Sequence, residues 1–352
     1  ATEVHISLAS QELPEYFEDH MGEWMGVFQR LLSFQPSGGL AGDADDAPGP
    51  LEHCQAAVVE CLSLYISKYD EEFAEYLPAF VQVVWQRLIA VGTGARYDPL
   101  ATMSIKFLTS VASSVHHQLY AQGSALQDVC EHIVVPNMRL LEADEEMFED
   151  DPAEYIRRDI EGSDADTRRR VCAELVRALC RNFGERVGQI FNHYTAAMLQ
   201  QHAADPQAQW KAKDVAIYLV TALSIKAGSG ALGATQTSGL VDISSFFEQA
   251  ILPELRAGAE RGGQGADALP VLKADAIKFV STFRAQLSPA ALKAVLPLLP
   301  SLLQSRHAVV HTYAAHALER LLTTRAVASA AAAGAAGAAG AAAGSAAANA
   351  AA

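Results

Sequence analysis

Residues 145–159 read EEMFEDDPAEYIRRD, seven carboxylates in fifteen positions opposed only by Arg157 and Arg158. Carboxylates at this density do one of three things: they ligate a cation, form a solvated face, or meet a basic partner. A calcium loop requires ligands at fixed offsets, a glycine at its sixth position and a bidentate glutamate at its twelfth. No register starting at Asp144, Asp150, Asp159 or Asp164 meets those demands. Met147, Phe148, Tyr155 and Ile156 interrupt the run and read as anchors into a packed base. Arg157 and Arg158 are spaced to pair with Glu154 or Glu161, which gives them a structural role. A compact acidic element of this kind suits a Lys/Arg-rich surface, because opposite charge steers encounter.

Other chemistry-bearing residues lead nowhere further. GSGALG (228–233) matches a dinucleotide fingerprint, which needs a strand before it and a helix opening within it. Here KDVAIYLVTALSIKA, a helical pattern, precedes it and the loop-like ATQTSG follows, so it reads as a flexible connector between helices. His307 and His311 stand four apart, a spacing that zinc accepts. The glutamate of HExxH and a third ligand are missing, so His311, among Val310, Tyr313 and Ala314, reads as a core or capping residue. His116 and His117 carry no further signal. There is neither a GxSxG elbow nor a Walker loop. Cys54, Cys61, Cys130, Cys172 and Cys180 form no CxxC, and their odd count and helical spacings fit reduced, packed thiols. The expectation is a non-enzyme with no cofactor and no metal site.

The net charge of −15 is unevenly spread over the 352 residues. Window 142–166 holds twelve Asp/Glu against two Arg, a net of −10, which leaves −5 for everything else. An acidic balance argues against nucleic-acid binding, which demands a basic face. No strongly apolar run reaches bilayer length, and no secretory signal is legible, so membrane insertion is not expected. The chain opens at Ala1 within a helical pattern and reads as part of something longer.

Helices must position the acidic run. Apolar residues recur with helical spacing along nearly the whole chain, and no convincing strand alternation is found. Ser163-Asp164, Gly184 and Ser288-Pro289 mark helix boundaries. Residues 34–50, 226–242 and 257–267 read as loops or connectors, and 326–352 as an Ala/Gly-rich low-complexity tail. One class of helix carries a proline in an apolar run, at Pro78, Pro136, Pro253 and Pro297, and 188–199 fills the same slot without one. Each is followed by a helix with a small residue and a large one three later: Ser104/Phe107, Cys172/Leu175, Ala216/Leu219, Ala276/Phe279 and Ala315/Leu318. A looser sixth pair spans 14–33 and 51–68. Two helices cannot bury their apolar stripes alone; stacking units side by side does, and small residues permit close approach. The pattern predicts an all-α HEAT-repeat α-solenoid of about six repeats over residues 1–325, with the acidic insertion at 142–166 in the longest step.

With the helices aligned, four stretches resemble a known family. KYDEEFAEYLPAFVQVVW, VVPNMRLLEADEEMFEDDPAEYIRRDIEGSDADTRRR, LPVLKADAIKFV and VVHTYAAHALERL are similar to the importin-beta superfamily of nuclear transport receptors, and within it to the CAS-type exportins. The resemblance runs from Glu12 to Leu322 and implies the central part of a much longer receptor. It implies a nuclear export receptor that carries importin-alpha with Ran-GTP, contacts nucleoporin FG repeats and shuttles between nucleus and cytoplasm. By the same resemblance, the insertion touches Ran and cargo. Its candidate contacts are Glu145, Glu146, Glu149, Asp150, Asp151, Glu154, Asp159, Glu161, Asp164 and Asp166. An import receptor, which shares the EDDP-x-EYIR element, and a HEAT scaffold independent of any GTPase are the alternatives.

Overall fold

The computed structural model describes residues 2–35, 47–160, 166–229, 232–259 and 267–323. Glu161, Asp164, the tail 326–352 and most of loop 34–50 lie outside them. The chain divides into two compact units, 1–224 with 238–241, and 225–237 with 242–352.

The first unit contains α1 (Thr2–Ala9), α2 (Met21–Ser33), α3 (Pro50–Lys68), α4 (Leu77–Val91), α5 (Asp98–Ser113), a composite α6 over 125–137, α7 (Glu142–Asp150), α8 (Pro152–Asp159), α9 (Arg168–Ala204) and α10 (Trp210–Ser224). In one layer α1, α3, α5, α9 and α10 are successive neighbours; in the other α2, α4 and α6 are. Consecutive helices pair across the layers. Gln55, buried near the start of α3, donates to the carbonyls of Leu31 and Leu32 at the end of α2 at 3.0 and 3.3 Å, which makes that pair antiparallel. The predicted small/large column is the seam of the first layer. Ser104, Phe107, Cys172, Leu175, Ala216 and Leu219 all have 0% exposure. Small residues there let helix axes approach, and the large ones three positions on fill the space between them.

Gly184 was expected to end a helix. The backbone kinks one residue earlier, at Phe183 (φ −131°, ψ 26°), so α9 is a helix of one pair running into the first helix of the next. Its first half runs parallel to α5. Arg168 meets Asp98 at the start of α5, and Asn182 donates to the carbonyl of Ala112 near its end.

The prolines in apolar runs have a visible consequence. A proline in a helix interior lacks its N–H and collides with the carbonyl four residues back. Ahead of Pro136, residues Val129–Val134 widen into a π-helical turn, and Phe247–Ile251 do the same ahead of Pro253. The wider turn makes room for the ring while keeping the apolar face inward.

The second unit contains a hairpin of β1 (Ile225–Ser229) and β2 (Gly233–Thr237), then a composite α11 over 243–259, α12 (Pro270–Phe283), α13 (Pro289–Val295), α14 (Leu299–Leu302) and a helix α15 over 308–323. The hairpin corrects the reading of 226–242 as a flexible connector. The strands pair antiparallel, with Ile225 opposite Thr237 and Ser229 opposite Gly233. Gly233, at φ +75°, rests on the end of α12, where a Cβ would collide with the carbonyl of Thr282. Within GSGALG, Gly228 and Ser229 thus close β1 and Gly233 opens β2. Asp242 caps the next helix, accepting from the amides of Ser244 and Ser245 at 3.0 and 3.1 Å. Ala276 and Phe279 are buried as expected, but the pair Ala315/Leu318 is out of register. Ala315 is exposed and Leu318 half-buried, while Val310, Tyr313, Ala314, Ala317 and Leu321 form the buried stripe of α15. Ala315 follows Ala314 by one position, about 100° of helical rotation, and so leaves the core face.

Candidate functional site: the acidic insertion

Two short helices carry the acidic run. Asp144 opens α7 by accepting the amide of Leu141 at 3.1 Å, and Glu142, Asp144 and Glu145 occupy its first turn, where the helix dipole favours negative charge. Asp151 ends α7 and caps α8, accepting the Glu154 amide at 3.2 Å ahead of Pro152 in the first turn. The helices lean on each other through Phe148, buried at 3% exposure, and Tyr155, edge to face at 5.1 Å between ring centroids. This is how a segment with so little apolar material keeps a shape.

Glu154 is turned onto the two arginines of its own helix. It accepts from Arg157 at 2.7 and 2.8 Å and from Arg158 at 2.6 Å. Those hydrogen bonds, first from Arg157 and then from Arg158, hold its carboxyl at about 2, well below its ordinary 4.5. Glu146, Glu149, Asp150 and Asp151 are exposed along the end of α7, with 146, 149 and 150 at the spacing of one helix side. Asp159 is half-buried.

At its two ends the insertion is tied to the scaffold. Glu145 pairs with Lys211 on α10, and Asp166 pairs with Lys106 on α5. Beyond Asp166 the anchoring is deep. Thr167 caps α9 by accepting the Arg170 amide. The buried Arg168 spreads its fork over Asp98 (2.6 Å), Asn137 (3.1 Å) and the carbonyls of Gly92 (2.7 Å) and Gly94 (2.8 Å). Arg169 donates to the fully buried Asp214 at 2.8 Å and stacks 4.3 Å over the Tyr218 ring. Burial pushes the Asp98 carboxyl up, against the pull of Arg168, and nearby Asp144 adds to the rise.

Next to Asp166 lies a groove of about 450 Å³ between α3 and α5, whose polar lining includes Glu3, Glu60, Asp98, Lys106 and Asp166. Acidic character therefore continues from the insertion onto the helix layer. Among the described residues no three His, Cys, Asp or Glu lie close enough to share a metal. Nor is any described helix long and apolar enough to cross a membrane. His311 places Nδ1 3.1 Å from the carbonyl of Ser305, closing the turn before its own helix. Sequence reasoning missed Lys106, Lys211, Asp98 and Arg169 as partners of this region; the triple arginine 168–170 just past the acidic run was the available signal.

Antiparallel helix pairs stacked on a seam of small residues, bearing an acidic two-helix insertion, define a HEAT-repeat α-solenoid. A family model, Cse1, matches residues 1–318, and the chain belongs to the Cse1 family of exportins. Exportin-2 of Bos taurus is 45% identical over 330 residues, 94% of this chain and 33% of that protein. Exportin-2 of Homo sapiens is 45% identical over 325 residues, 92% of this chain and 33% of that protein. A solved structure described as "The exportin Cse1 in its cargo-free, cytoplasmic state" matches with a TM-score of 0.85 at 34% identity, covering 92% of this chain and 35% of that one. The chain thus spans about a third of the length of the relatives it matches.

Proposed function

We propose that this chain forms the central segment of an export receptor that carries importin-alpha out of the nucleus together with Ran-GTP, and that the acidic insertion is a contact surface for those partners. The observation that carries this is the division of labour within the insertion. Glu154 is consumed by Arg157 and Arg158, Asp151 caps α8, and Phe148 and Tyr155 fix the two helices, while Glu146, Glu149 and Asp150 are exposed on the surface. A solvated loop has no need of such bracing. Presenting like charges in a fixed array does, because fixed charges steer a basic partner and set its register. Membership of the exportin family supplies the class of partner. Ran-GTP and importin-alpha then favour the same state of the receptor, and each strengthens the other's binding by an equal factor. GTP hydrolysis belongs to Ran, and this chain acts as a receptor rather than as an enzyme. Shuttling through the pore and contact with FG repeats belong to the same reading.

The test is importin-alpha binding with GTP-locked Ran, for the native sequence and for a charge swap at Glu146, Glu149 and Asp150 to Lys. The swap should weaken the ternary complex and reduce its salt dependence. An unchanged affinity would make the insertion a solvated element.

A further inference from the structure

The two ion pairs that tie the insertion down join its own carboxylates to lysines of the scaffold. Glu145 meets Lys211 and Asp166 meets Lys106, across sequence separations of 66 and 60. Neither pair is sealed from water. The side chains of Lys106 and Asp166 are 37% and 33% exposed, and those of Lys211 and Glu145 are 43% and 32% exposed. Each lysine is also placed by its surroundings. Lys106 lines the groove beside α3, and the Lys211 ammonium lies 5.5 Å from the Trp210 ring centroid. The neighbouring Arg168 and Arg169 differ: their own side chains are only 3% and 11% exposed, and Arg169 binds the fully buried Asp214.

We propose that Lys106 and Lys211 act as built-in competitors, occupying two carboxylates of the acidic surface so that a Lys- or Arg-rich partner must displace them to engage it fully. This rests on the reading of the insertion as a contact surface for basic partners. A half-exposed pair is worth little, so displacement is readily reversible, and the lysines set the affinity rather than forbid binding. The device raises the threshold for basic surfaces that reach only part of the array. A partner spanning both ends of the insertion repairs both losses at once, whereas a short basic segment repairs one or neither. Selection thus favours a broad basic face over a short basic peptide.

The probe is a fluorescent polylysine peptide titrated against the whole chain at low and at physiological salt. Lys106→Ala and Lys211→Ala should each tighten binding by roughly two- to five-fold, the range that the release of one half-exposed pair allows. Lys293→Ala removes the same charge from an exposed position on α13 and should tighten binding less. In an Asp166→Asn background the gain from Lys106→Ala should vanish, because there is no carboxylate left to free. Equal effects of all three lysine substitutions would overturn the proposal, as would a gain that survives Asp166→Asn. If polylysine binding also proves indifferent to Glu146, Glu149 and Asp150, the contact-surface reading falls together with this inference. Binding that needs those carboxylates but ignores Lys106 and Lys211 removes the inference alone.

Discussion

Arg168 Nε lies 2.6 Å from Asp98 Oδ1, seventy positions earlier in the chain, and that single pair fixes where the acidic insertion rejoins the helix stack. The same guanidinium holds the carbonyls of Gly92 and Gly94 and the side chain of Asn137, so one buried side chain ties α9 to the 92–97 loop, to α5 and to α6. Removing it leaves the buried Asn137 oxygen and the part-buried Asp98 carboxylate without their charged donor. Arg168→Ala is expected to cost about 1.5–3 kcal/mol in urea unfolding. Arg168→Lys keeps the charge but loses the fork and should fall between. A loss under about 1 kcal/mol, the range of a surface pair, would show that the network is dispensable.

Gly233 and Gly239 offer a matched comparison, since both have positive φ, +75° and +74°. A methyl group at Gly239 meets open space, whereas at Gly233 it strikes the backbone of Thr282 and the Arg284 guanidinium. Gly239→Ala should therefore cost about 1–2 kcal/mol of backbone strain alone. Gly233→Ala should cost about 1–3 kcal/mol more from overpacking and raise amide exchange in the hairpin. Equal costs would mean that the hairpin moves off α12 freely.

His5 stacks on Phe17 at 4.2 Å and shares a hydrogen bond with the Tyr65 hydroxyl at 3.0 Å. Burial lowers its pKa below the ordinary 6.5. The neutral ring is the folded form, so its contribution is complete above 6.5 and is lost as pH falls toward the lowered value. Melting temperature should drop on acidification through that window, with a slope from this residue of at most about 1.4 kcal/mol per pH unit. His5→Gln should flatten the profile, leaving the part due to His316, whose pKa burial also lowers. A profile unchanged by His5→Gln would contradict the assignment.

The thiols sort by the same logic. Burial pushes Cys61 up to about 12 and Cys180 up to about 11, and raises Cys130 and Cys172 as well. The thiolate is the reactive form, so the folded protein should alkylate first at Cys54, which sits at intermediate exposure on α3. Mass spectrometry after a short iodoacetamide pulse at neutral pH reads this directly. Early labelling of Cys172, on the seam between α5 and α9, would mean that the seam opens.

The fold was legible because its seam is local. A small residue followed three later by a large one is written within each helix, and Ser104/Phe107 and Cys172/Leu175 could be aligned without coordinates. The register failed at Ala315, where an Ala-rich stretch, HTYAAHALERL, offers several small residues and only packing selects among them. The hairpin failed for a different reason. AGSGALGATQT has no apolar alternation, and its pairing is held by Gly233 seated on α12 rather than by a pattern along the strand. Within the insertion, the pairs of Glu154 with Arg157 and Arg158 lie three and four residues apart and could be read directly. The pairs of Glu145 with Lys211 and Asp166 with Lys106 bridge sixty residues or more, so only the fold brings them together.

The most direct test of the central claim places this chain within a full-length exportin-2 and measures importin-alpha binding with and without GTP-locked Ran. The account predicts that Ran-GTP strengthens importin-alpha binding and that importin-alpha strengthens Ran-GTP binding by the same factor. Ran-GTP that weakens importin-alpha binding, as in an import receptor, or that leaves it unchanged, as in a GTPase-independent scaffold, would contradict it.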